Sequence, residues 1–66
     1  MPQRHLMAAQ THDDAALRHE AAALHWDECG DAEHADLERR NVEIERAAAQ
    51  LERDRADFLQ RKRTSR

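Results

Sequence analysis

His5, His12 and His19 stand seven residues apart, and Trp26 continues the series. On a helix these four positions form one stripe. A metal site within a single helix needs ligands at i,i+3 or i,i+4. No two of the five histidines have that spacing. His25 with Glu28, and Asp31 with His34 and Glu38, do have it. A transition-metal site could draw on His25, His34, Glu28 and Cys29, but no Cys pair or Glu-x-x-His signature marks one. The expectation is no metal and no cofactor, with the histidine stripe read as polar positions flanking a helical seam. Stacked imidazoles at such positions would repel one another when protonated.

Nucleophilic catalysis has no foothold either. The only Ser is Ser65, close to the C-terminus. Cys29, the single Cys, lies among Asp27, Glu28 and Asp31 near a predicted helix C-terminus. That setting disfavours a thiolate, so Cys29 reads as a small apolar filler at the neck of a hairpin. One Gly rules out a glycine-rich phosphate loop. The chain is therefore expected to be no enzyme.

The elements that carry these residues follow from composition. The 66 residues include 13 Ala, one Gly, one Pro and no Tyr, which is a helix-forming composition. Val and Ile occur once each, so there is no material for a sheet. Cys29-Gly30-Asp31 is the only strong punctuation. Gly30 suits a helix C′ position and Asp31 an N-cap. Helix 1 should end near Cys29, and helix 2 should run from Ala32 to about Lys62. At about 1.5 Å per residue the second helix spans about 45 Å. The i,i+4 pairs Asp36–Arg40, Arg39–Glu43, Arg53–Asp57 and Asp57–Arg61 should support it. Helix 1 has two candidate starts, a capping box at Thr11…Asp14 and Pro2 in a first turn. The longer form is favoured, with a kink or fraying near Thr11. This divides the chain into a segment over 1–11, a hairpin over 12–60 turning near 30, and a basic tail over 61–66.

Apolar residues recur in heptads. Leu37, Ile44, Leu51 and Phe58 form one row of helix 2, and Ala35, Val42, Ala49 and Ala56 form another. Helix 1 offers Ala8, Ala15, Ala22 and Cys29, with Leu6, Leu17 and Leu24 on a second stripe. Each helix thus has a small-residue face and a large-residue face, a wider apolar arc than one neighbour covers. The expected fold is all-α: an antiparallel two-helix hairpin that dimerises into a four-helix bundle. Leu17, Leu24, Trp26, Leu37, Ile44, Leu51 and Phe58 are its expected interface residues. The pattern leaves open which seam lies inside the hairpin.

The stretch Ala22-Ala23-x-x-Trp26-x-x-x-Gly30-Asp31-x-x-x-Ala35 resembles the turn region of one tetratricopeptide repeat. The family's later aromatic position is occupied by Arg39. The resemblance implies a helical hairpin and a lean toward protein binding. In shape and length the hairpin is also similar to plasmid-copy regulators of the ROP type, whose hairpins dimerise into RNA-binding bundles.

Charge excludes further classes. The net charge of −3 predicts solubility and no general affinity for nucleic acid. The last six residues nevertheless carry Arg61, Lys62, Arg63 and Arg66 and no acid. Nucleic-acid binding by that tail is the alternative function, and such binding would weaken steeply with salt. No apolar run approaches the roughly 20 residues of a membrane span, or the 7–15 or so of a secretory signal. The expected setting is cytoplasmic. The expected role is a non-enzymatic interaction or structural module whose partner is a second copy or another helical protein.

Overall fold

The structure is a computed structural model that describes residues 2–65. Two helices account for nearly all of it: α1 over Pro2–Glu28 and α2 over Ala32–Thr64. Arg66, one of the four candidate tail residues, lies outside the described residues. The molecule is a rod, with extents of 57 × 14 × 9 Å.

Gly30 supplies the left-handed residue that ends α1, with φ of 76°. Around it the Asp31 N–H reaches the Trp26 carbonyl at 2.9 Å, and the Gly30 N–H reaches that of Asp27 at 3.0 Å. These are the two bonds of a Schellman motif. Asp31 then opens α2 as its N-cap, accepting from the His34 N–H at 3.0 Å. One residue thus closes one helix and starts the next, and the chain must reverse. A Cβ placed on Gly30 would meet nothing within 4 Å. Gly30→Ala should therefore cost only backbone strain, about 1 kcal/mol. A thermal melt should show this as a loss of a few degrees with undiminished low-temperature helicity.

α1 takes the longer of its two expected forms, with Pro2 in the first turn, and differs from expectation only at Thr11. It runs through Thr11 without interruption. The Thr11 hydroxyl bonds back to the Met7 carbonyl at 3.1 Å, and Asp14 accepts from Gln10. Both partners of the alternative capping box are thus engaged inside a continuing helix. α2 likewise passes Gln60 and Lys62 to Thr64, whose hydroxyl bonds the Gln60 and Arg61 carbonyls.

The helices meet along a seam of small side chains. Ala9, Ala16 and Ala23 of α1 face Ala35, Val42, Ala49 and Ala56 of α2, and all seven are buried. Ala35 and Ala49 retain 0% exposure. On α1 the buried row is one residue beyond the expected Ala8, Ala15 and Ala22, which are only half-buried. The Ala8-Ala9, Ala15-Ala16 and Ala22-Ala23 doublets repeat every seven residues, so the two rows are compositionally equivalent. Val42 is the bulkiest residue of this core, which means the hairpin buries little apolar area per residue.

Candidate interaction surface

Two ladders of charged and polar side chains flank the seam. On one side His5, His12 and His19 of α1 pair with Glu52, Glu45 and Glu38 of α2 at 2.8, 2.8 and 2.6 Å. In each rung the imidazole Nδ1–H donates to a carboxylate oxygen. The residue numbers of every rung add to 57. On the other side Asp13, Glu20 and Asp27 pair with Arg53, Arg46 and Arg39, and there the numbers add to 66. Both constants follow from antiparallel helices in one register. An alanine seam is smooth and would tolerate a slip of seven residues. Such a slip would cost each ladder a rung, so turn and ladders select the same register. The Asp–Arg and Glu–Arg rungs are exposed and worth about 0–1 kcal/mol each, the His–Glu rungs are part-buried, and the main contribution of both ladders is alignment.

These cross-helix rungs replace much of the expected i,i+4 pairing. Asp57–Arg61 forms as predicted. Arg39 instead takes Asp27 and Asp36, and Arg53 takes Asp13. The acids of α1 stand opposite these cations, so both bridge the helices, and Arg39 also keeps an i,i+3 partner along α2 in Asp36. The ladders were readable in principle. Glu38, Glu45 and Glu52 repeat with the same period as His5, His12 and His19, and Asp13, Glu20 and Asp27 with that of Arg39, Arg46 and Arg53.

Glu52 is the one buried charged residue of the described chain. The hydrogen bond from His5 and then that from Arg55 hold its carboxyl below the usual range. At the turn, His34 does the same for Asp31 through its side chain and its backbone N–H. Both folded values lie below the unfolded ones, so the stability these groups supply is complete above the ordinary carboxylate range. It is lost as pH falls through the lowered values. Melting temperature should therefore drop as pH goes below 4.5, the ordinary Glu value. Glu52→Gln should flatten that drop in a series of melts from pH 6 to pH 3. Identical slopes in the parent and the variant would exclude the His5–Glu52 rung as a contributor.

At the turn end, Trp26 is half-buried, stacked on His34 at 4.2 Å and met edge-on by His25 at 5.1 Å. It closes the end of the hairpin by joining α1 to the first turn of α2. Cys29 is exposed, its Sγ 3.7 Å from His25 Nε2, and so fills no apolar neck. The physical reason is its place in the three-residue connection, outside both helices. His25, Glu28, Cys29 and His34 do not converge: among the described residues no three His, Cys, Asp or Glu side chains form a metal-ligand group.

At the other end Arg61, Lys62 and Arg63 occupy the last turn of α2, where cations suit the helix dipole. Pro2 and Leu6 lie beside Asp57 and Gln60, which brings the start of α1, and Arg4 with it, to the same end. Arg61 is already engaged by Asp57. The turn end by contrast holds Asp27, Glu28, Asp31, Glu33 and Asp36. The rod is acidic at its turn and basic at its open end.

No protein-family model, curated protein or solved structure matches the chain. No helix among the described residues is long and apolar enough to cross a membrane.

Most of the large apolar residues stay outside the hairpin, Leu59 and Trp26 being half-buried. Leu37, Ile44, Leu51 and Phe58 are between 50% and 63% exposed. Leu17 and Leu24 are exposed to a similar degree, as are Leu6 and Met7. The small-residue seam is therefore the intramolecular one. Each residue turns a helix by about 100°. Leu37, Ile44, Leu51 and Phe58 each follow a seam residue by two positions, so they point away from α1. Leu17 and Leu24 follow theirs by one, which sets them on a broad side. There Leu24 lines a groove with Val42, Glu20, Glu43, Arg39 and Arg46.

Proposed function

We propose that the protein is a non-enzymatic helical module that acts by self-association, each hairpin covering the apolar row of another to give a four-helix assembly. One observation carries this reading: an unbroken heptad row of Leu37, Ile44, Leu51 and Phe58 lies half or more exposed on a chain whose own core is Ala and Val. Single exposed apolar residues are ordinary on soluble proteins, but a continuous row marks a contact surface. Over the 22 residues from Leu37 to Phe58 the row is about 32 Å long. The small hairpin core supplies the complementary motive, since chains of this size generally need a staple or a partner. Here the partner is a second copy, and the assembly is a structural or protein-docking unit in which the Leu17–Leu24 side of α1 remains available to a further helical protein.

Sedimentation equilibrium over a hundredfold concentration range tests the reading. A dimer whose melting temperature rises with concentration is expected. A monomer with one melting curve throughout would overturn it.

A further inference from the structure

Building on that self-association, we infer that the second copy docks antiparallel, α2 against α2, about a two-fold axis at Ala47. The hairpin provides its own template for such a contact. Residues three positions after a seam residue are the ones that pair across two antiparallel helices: His12 follows Ala9, Glu45 follows Val42, and they meet at 2.8 Å. His19 and Glu38 stand in the same relation to Ala16 and Ala35 and meet at 2.6 Å.

The same offset applied to the outer row of α2 selects Arg40, Ala47, Asp54 and Arg61, and one heptad earlier Glu33. Their order along the helix is acid, base, Ala, acid, base. Reversed about Ala47, that order is its own complement. Arg40 meets Asp54 of the second copy, Glu33 meets Arg61, and the symmetry repeats both pairs. Ala47 faces itself, where a small side chain permits close approach. In the same register Leu51 meets Ile44 of the second copy, and Phe58 meets Leu37, so large residues interleave along the whole row. The other border of the row, Asn41, Ala48, Arg55 and Lys62, contains no acid to oppose and no cation directly facing its own copy.

The charge asymmetry of the rod points the same way. An antiparallel copy brings the basic open end, with Arg4, Arg61, Lys62 and Arg63, beside the acidic turn end. A parallel copy would set cations on cations and acids on acids. The row points away from α1, so the second hairpin extends the first edge to edge. The four helices then lie side by side as a layer rather than at the corners of a square.

Charge reversal tests the register directly. Residues 40 and 54 are fourteen positions apart, about 21 Å along one helix, and cannot touch within a chain. Arg40→Glu alone should raise the dimer dissociation constant about tenfold, because two attractive pairs become repulsive. Asp54→Arg alone should do the same. The double variant Arg40→Glu/Asp54→Arg should return to within about threefold of the parent, read by sedimentation equilibrium at low salt. Both sites are exposed, and far-UV circular dichroism of each variant at matched concentration confirms that the helices persist. Additive losses with no rescue, in a parent that dimerises, would overturn the antiparallel register while leaving self-association standing. A parent that stays monomeric overturns both. A second readout uses Ala47→Cys in a Cys29→Ser background: rapid disulfide dimerisation is expected there, whereas cross-linking of Phe58→Cys in preference to Ala47→Cys would place the copies parallel and refute the proposal.

Discussion

Ala49→Leu should split the hairpin. Ala49 is fully enclosed between the helices, with Val42 and Ala56 as its neighbours along the row. A seam of Ala holds two backbones close, and three added carbons have no void to enter. Overpacking of this kind costs about 1–3 kcal/mol. Relief by splaying the helices would stretch the rungs on both sides, His5–Glu52 and His12–Glu45 on one and Asp13–Arg53 and Glu20–Arg46 on the other. For a chain of this length that amounts to a fall of about 5–20 °C in melting temperature. Ala21→Leu is the control, since Ala21 is exposed on α1 and the change costs only a small loss of helix propensity. Equal melting temperatures for the two variants would mean that the helices do not pack through the Ala row.

The contrast between Ala49 and Ala21 shows what the sequence could and could not reveal. Two helices, their antiparallel order and the turn were legible, because Gly30 followed by Asp31 is the only strong stop-and-start signal in the chain. The heptad rows on α2 were legible for the same reason that they pack: a period of seven keeps one face toward a neighbour. The choice of seam was not. Both Ala and Leu rows satisfy the period, and only closeness of approach separates them. Nor could the pattern decide between the members of each Ala doublet on α1, since adjacent alanines differ by about 100° in direction and not at all in chemistry. The ladders were hidden for another reason. His5 and Glu52 are far apart in sequence, and the constant sum of their numbers has meaning only once the register is known. Local i,i+4 pairs were the natural reading of Arg39 and Arg53 until the acids of α1 came within reach.

Leu51→Asp should abolish self-association. Leu51 lies near the middle of the outer row and is 50% exposed in the hairpin, so half of its surface is still free to be covered. A dimer contains two copies of it. Full burial of a Leu side chain is worth about 1.5–3 kcal/mol, so covering the remaining half on both copies contributes about that much per dimer. The substitution forfeits this and places two carboxylates in the contact, each costing a further 1–3 kcal/mol or so if left without a partner. The dissociation constant should rise by about a hundredfold or more. Inside the single hairpin the same change is tolerated, because the side chain at 51 points away from α1. The variant should therefore sediment as a monomer at concentrations where the parent is a dimer. Its melting curve should no longer move with concentration, and it should lie below that of the parent because only the Ala and Val seam remains. Leu17→Asp gives the comparison. Leu17 is more exposed than Leu51, at 62%, yet it projects from the broad side of α1 and not from the outer row of α2. It should leave the dimer within about threefold of the parent, and an equal loss from both substitutions would show that the two apolar sides are covered together.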